Sequence, residues 1–122
     1  MKRILVVDDD NTVRSALGDV LLLAGFEVTT AEEREEAEAL LATQPYDLVI
    51  TDLRLGDLSG YSGLQILSEA AHRMGANRVM AMTGYANPLV ESAVRDVGSE
   101  LLKKPFPLSR CVAMCNEKAQ QG

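Results

Sequence analysis

The sequence predicts an α/β domain in which a parallel sheet is covered by helices on both faces. Three observations carry that expectation. Short, nearly continuous apolar runs recur five times, and each is followed by a longer segment whose apolar residues fall three and four apart. A parallel strand packed on both faces has no polar side to show, so it reads as an unbroken apolar run. Finally, acidic, hydroxyl or ammonium side chains stand directly after four of those runs.

Each element can be justified in order. Residues 3–7, RILVV, form the first expected strand. Val13, Leu17, Val20, Leu21 and Ala24 then share one helical face; Asp10 or Asn11 suits the N-cap, and Gly25 suits the stop. FEVTT (26–30) is the second strand, and EEREEAEALLAT (32–43) a helix whose outer charges read as a solvated surface. YDLVIT (46–51), introduced by Pro45, is the third strand. A glycine-punctuated loop (52–63) leads to a helix over 64–74. NRVMAM (77–82) is the fourth strand, and Pro88 stands where the first turn of a helix over 89–97 tolerates it, with Gly98 as terminator. ELL (100–102) is a short last strand, KKPFP a turn, and 108–120 a final helix.

The 122 residues suit one domain spanning 1–122, and 47% hydrophobic with 25% charged residues is an ordinary globular composition. No apolar run approaches membrane-spanning length, and the run after Met1, Lys2 and Arg3 is too short for a secretory signal, so the cytoplasm is the expected compartment. A net charge of −6 disfavours direct binding to nucleic acid or to an anionic membrane, and fits a protein partner or a cation. Cys111 and Cys115 lie four apart with one distant histidine, His72, which is too few ligands for zinc; they read as packing residues on one helix face.

In an open parallel sheet, ligands bind beyond the carboxyl ends of the strands. Asp8, Asp9 and Asp10 follow the first strand, Asp52 the third, Thr83 the fourth and Lys104 the fifth, so all fall at one edge. Helix capping accounts for one of the acids but not for the gathering. Two like charges about 4 Å apart repel by roughly 4 kcal/mol at an effective dielectric near 20, so something must offset them. Mg²⁺, for which Mn²⁺ can substitute, takes such carboxylates and leaves positions for phosphate oxygens. One carboxylate can then act as nucleophile toward a phosphoryl group, with Thr83 donating a hydrogen bond and Lys104 pairing with the new charge.

Four stretches, VVDD (6–9), VITD (49–52), MTGYA (82–86) and KKPF (103–106), together resemble the response-regulator receiver domain, the phosphoacceptor module of two-component signalling. The likeness runs from Lys2 to the final helix. It implies a flavodoxin-like, doubly wound sheet of five parallel strands in the order 2-1-3-4-5 with five helices; that order comes from the family and not from the pattern. It also implies that Asp52 is phosphorylated. Asp9 and Asp52 bind Mg²⁺ with the backbone carbonyl of Arg54, and Asp8 acts mainly through a water. Thr83 is the switch hydroxyl, Lys104 contacts the phosphoryl group, and the Lys104-Pro105 bond is cis. The implied donor is a sensor histidine kinase or a histidine phosphotransfer protein. The implied output is a downstream target protein or an output domain outside these residues. Such a domain is a switch that catalyses its own phosphotransfer and dephosphorylation, not a conventional enzyme.

Three features depart from the family. Gly56 stands where a proline is usual, and the stretch GDLSGYSGL is lengthened by a few residues, with Gly56, Gly60 and Gly63 widening its backbone choices. The stretch from Gly98 to Lys104 is one residue short. Leu101 occupies the place of the switch aromatic, so the output uses either another part of the fourth-helix face or Tyr85 as the moving ring. Arg54 and Tyr85 occupy the variable positions that flank the acyl phosphate. Other readings are a degenerate receiver acting as a phosphorylation-independent docking module, a flavodoxin-like cofactor carrier, and an aspartyl-nucleophile phosphatase. The acidic DDDN stretch argues against the carrier, and Arg54, in the place of a second catalytic acid, against the phosphatase.

Overall fold

A computed structural model describes residues 1–55 and 62–120. Its strands are β1 (Arg3–Val7), β2 (Glu27–Ala31), β3 (Leu48–Asp52), β4 (Val79–Thr83) and β5 (Glu100–Lys103). Its helices are α1 (Asn11–Leu23), α2 (Arg34–Thr43), α3 (Ser62–Met74), α4 (Pro88–Val97) and α5 (Leu108–Gln120). The strands form one parallel sheet in the order β2-β1-β3-β4-β5, as the family resemblance implies. Among the described residues no helix is long and apolar enough to cross a membrane.

Successive strand residues point to opposite faces, and the apolar runs fill both. Leu5, Val7, Val49, Val79 and Ala81 pack with Ala37 and Leu41 of α2, Ile66, Leu67 and Ala70 of α3, and Val94 of α4. Ile4, Val6, Leu48, Ile50, Met80, Met82 and Leu102 pack on the other face with Leu17 and Leu21 of α1 and Cys111 and Cys115 of α5. The cysteines are therefore core residues, as expected, and His72 is exposed on α3. The acidic side chains of Glu32, Glu33, Glu35 and Glu36 are exposed, again as expected.

Several boundaries differ from the sequence reading, for local reasons. Asp10 is the N-cap of α1, accepting from the N–H groups of Thr12 (2.9 Å) and Val13 (3.3 Å). Ala24 is exposed because the helix has ended: Ala24 is the C-cap, and Gly25 follows with φ +98°. α2 begins at Arg34, two residues late, while the Glu36 carboxylate accepts from the Glu32 N–H at 2.8 Å just before it. Asn77 and Arg78 belong to a 3-10 turn, Ala76–Arg78, and not to β4. At the far end of α5, Lys118 is buried, its ammonium 3.2 Å from both the Asn77 carbonyl and the Glu100 carboxylate. The expected glycine effects at 56 and 60 lie outside the described residues.

Gly63, in the first turn of α3, lets that helix close directly onto the end of β3. Its N–H donates to the Leu53 carbonyl at 3.1 Å. A Cβ at this position would stand 1.8 Å from the Asp52 carbonyl oxygen and 2.5 Å from Leu53 Cα, both backbone atoms that cannot rotate away. Gly63→Ala should therefore lower stability by at least about 1–3 kcal/mol, the usual range for overpacking. Gly84→Ala, where nothing lies within 4 Å, should change it by less than about 0.5 kcal/mol. Urea unfolding of both variants measures the difference.

Candidate functional site

The carboxyl ends of β1, β3, β4 and β5 bring the sequence-predicted residues together. Asp8 follows β1 and is fully buried. Its Oδ2 lies 2.8 Å from Lys104 Nζ, and its Oδ1 accepts from the Asp10 N–H at 2.9 Å. Asp52 closes β3 and is buried as well. Its Oδ2 lies 2.6 Å from the same ammonium, and its Oδ1 accepts from the Arg54 N–H at 2.9 Å. Asp9 is the exposed member at the rim. One carboxylate oxygen from each of Asp8, Asp9 and Asp52 lies within 4.8 Å of the others.

Thr83 closes β4 and is buried; its Oγ accepts from the Tyr85 N–H at 3.0 Å. Thr83 is tied to the last member of the site through its carbonyl, which accepts from the Lys104 N–H at 2.8 Å. The Lys104-Pro105 bond is cis, as expected.

Charge is unbalanced here, since among the described residues the carboxylates of Asp8, Asp9 and Asp52 gather around the Lys104 ammonium. Burial raises the Asp52 pKa above the ordinary carboxylate value and the Asp8 charge adds to the effect, against the opposing hydrogen bonds from Lys104 and the Arg54 N–H. Burial also works against the Lys104 ammonium, but its bonds to Asp52 and Asp8 prevail and hold its pKa above the ordinary value. The two directions agree: the Lys104 ammonium is well satisfied, and the Asp52 carboxylate is not.

Two residues expected to flank the site also touch each other, which the sequence reading missed. The Arg54 guanidinium carbon sits 4.5 Å from the centroid of the Tyr85 ring, and Tyr85 is 67% exposed. Stacking over an aromatic face suits a guanidinium. No spacing rule announces this contact, because the partners come from loops after different strands. Leu101 is half-buried and packs against the core shared by α2, α3 and α4.

A family profile described as "Response regulator receiver domain" matches residues 4–116. The chain is 35% identical over 105 residues to the response regulator protein FleR of Pseudomonas aeruginosa, covering 85% of this chain and 22% of that protein. The chain thus spans about a fifth of the length of that relative. Among solved structures, a CheY-like response regulator receiver domain protein from Methanospirillum hungatei superposes with a TM-score of 0.90 at 25% identity, covering 99% of this chain and 95% of that one. A response regulator protein from Burkholderia pseudomallei, solved with a phosphorylated aspartic acid, a calcium ion and citrate, superposes with a TM-score of 0.83 at 25% identity, covering 99% and 70%.

The raised Asp52 pKa fixes the sign of one stability effect. A carboxyl whose folded pKa exceeds its unfolded value of about 3.9 stabilises the fold least when ionised. Stability from this group is full below the unfolded value and is lost as pH rises through the folded one. In EDTA at pH 7, Asp52→Asn should therefore raise the melting midpoint by about 3–6 °C, the shift expected from relief of about 1 kcal/mol of incompletely balanced buried charge. The gain should shrink toward zero as pH falls through the acid range, which thermal scans across pH measure.

Proposed function

The chain belongs to the response regulator receiver domain family, a module of two-component phosphorylation signalling, and from that membership we propose that Asp52 is its phosphoacceptor. The observation that carries the reading is the ammonium of Lys104 joined to both Asp8 and Asp52, with Asp9 beside them. In the proposed reaction an Asp52 carboxylate oxygen attacks the phosphorus of a phosphohistidine. The O–P bond forms, the P–N bond breaks, and the electron pair returns to the imidazole nitrogen. Lys104 lies against Asp52 Oδ2 and would balance the charge on the incoming phosphoryl oxygens. Thr83 Oγ already accepts one hydrogen bond, so its own proton is available to a phosphoryl oxygen.

The donor set fits a divalent cation. Its oxygens are hard and clustered, and they carry more negative charge than Lys104 alone balances. Asp9 and Asp52 with the Arg54 backbone carbonyl would hold Mg²⁺ or Mn²⁺, and Asp8 would reach it through a water. When bound, the ion supplies the neutralisation that lets a phosphate approach three carboxylates. The phosphorylated aspartate and calcium ion in the Burkholderia pseudomallei structure support this reading by analogy.

The proposed donor is a sensor histidine kinase or a histidine phosphotransfer protein, acting in the cytoplasm. The proposed output is altered binding to a target protein or output domain, and the net charge of −6 gives no support for direct contact with nucleic acid. The domain would promote its own phosphorylation and dephosphorylation without acting as a conventional enzyme.

Intact-protein mass spectrometry after incubation with acetyl phosphate and Mg²⁺ tests the reading. One phosphoryl group should be gained, and it should be absent with EDTA or in Asp52→Asn. No gain from acetyl phosphate, phosphoramidate or a histidine kinase would favour the phosphorylation-independent docking module. The stacked Arg54 and Tyr85 should hinder hydrolytic water. Arg54→Ala should therefore lose its phosphoryl group about three- to tenfold faster than wild type, equivalent to about 1 kcal/mol at the barrier.

A further inference from the structure

We propose that Arg14 is a positioning residue for cation binding, acting through the peptide that joins Asp8 to Asp9. The inference rests on the divalent-cation reading above and assigns a role to a residue that touches none of the three carboxylates in the site. Arg14 lies one turn into α1 with its side chain only 12% exposed. Its Nη1 donates to the Asp8 backbone carbonyl at 2.8 Å. Its Nη2 bonds the Asn11 side chain and stands 3.6 Å from the Glu32 carboxylate.

The geometry gives these contacts a purpose. Asp8 is fixed by Lys104 and the Asp10 N–H, and Asp52 by Lys104 and the Arg54 N–H. The Asp9 carboxylate is exposed, so its direction depends on its backbone. A peptide unit is planar, and its plane contains the carbonyl oxygen of one residue and the Cα of the next. Holding the Asp8 carbonyl therefore sets where Asp9 Cα sits. The guanidinium fork reaches that oxygen with one arm and Asn11 and Glu32 with the other, a geometry a lysine cannot reproduce. The opposite flank is fixed by the Asp8 N–H, which donates to the Ala31 carbonyl at 3.1 Å. Glu32 follows Ala31, so the two peptides that flank Asp8 are both tied to the end of β2, one directly and one through Arg14.

Electrostatics and positioning predict opposite signs. Loss of a nearby positive charge should strengthen cation binding, whereas loss of the clamp should weaken it. Isothermal titration of Mg²⁺ into wild type, Arg14→Met and Arg14→Lys separates them. Both variants should bind Mg²⁺ about tenfold more weakly or worse, the usual effect of losing a group that orients a metal ligand. Their far-UV spectra should match wild type in EDTA, and acetyl phosphate labelling should return to the wild-type rate at saturating Mg²⁺. Unchanged or tighter Mg²⁺ binding in either variant, or a rate defect that persists at saturation, would overturn the proposal. If Arg14→Met fails to fold, Arg14→Lys decides alone, since it keeps the charge and loses only the fork. A wild-type protein that binds no Mg²⁺ would defeat the cation reading itself, a distinguishable result.

Discussion

One ammonium holds two buried carboxylates that lie 96 and 52 residues away in the chain. The arrangement depends on strand order. Because β1 and β3 are neighbours and parallel, their carboxyl ends deliver Asp8, just after β1, and Asp52, the last residue of β3, to adjacent positions. β4 lies between β3 and β5, so Lys104 must cross the end of β4 to reach them, and its N–H is anchored on the Thr83 carbonyl as it does so. An antiparallel strand anywhere in that set would send its polar residue to the opposite edge. The apolar filling of both faces keeps the strand ends in register, and the charged cluster is held where it would not gather unaided.

That dependence explains which parts were legible in the sequence. Buried parallel strands lack alternation, so RILVV, YDLVIT and NRVMAM marked the core directly, and the polar residue ending each run marked the edge. That rule gathered Asp8, Asp9, Asp52, Thr83 and Lys104, together with Asp10, which caps α1 instead. Edges were harder. The start of α2 was misplaced because Glu32 and Glu33 look helical by composition while the backbone at Glu33 is extended. Asn77 was read as strand because a short 3-10 turn has too few residues for any periodicity. Nothing in the sequence singles out Lys118, because its burial against Asn77 and Glu100 depends on three elements meeting.

Gly63 and Arg14 show a second kind of limit. Gly63 was read as one of several loop glycines, yet its requirement is steric: α3 touches the backbone of Asp52 where a methyl group would collide. Arg14 sits on a partly buried helix face and carries no motif; only the hydrogen bond to the Asp8 carbonyl distinguishes it from an ordinary surface arginine. Both act on the backbone of a site residue, not on its side chain. Residue-type patterns report side-chain chemistry and are silent about such supports.

The departure at Leu101 acquires its meaning from the same neighbourhood. Leu101 is packed against the core, so a large swing at this position would cost apolar burial and carries no ring to expose. Tyr85 is differently placed. Its N–H is bonded to Thr83 Oγ, its ring lies against Arg54, and Leu89 nearby in sequence, in the first turn of α4, is 78% exposed. Thr83 and Arg54 are attached to Tyr85 from the ends of β4 and β3, and Asp52 lies two residues from Arg54. Under the proposed phosphorylation, a changed hydrogen bond at Thr83 and a new anion beside Arg54 would bear on the same aromatic residue from two sides. A signal would then leave through the loop before α4 without an aromatic in β5. A structure of the phosphorylated protein with the Tyr85 ring unmoved would remove that route and return attention to the β5 face.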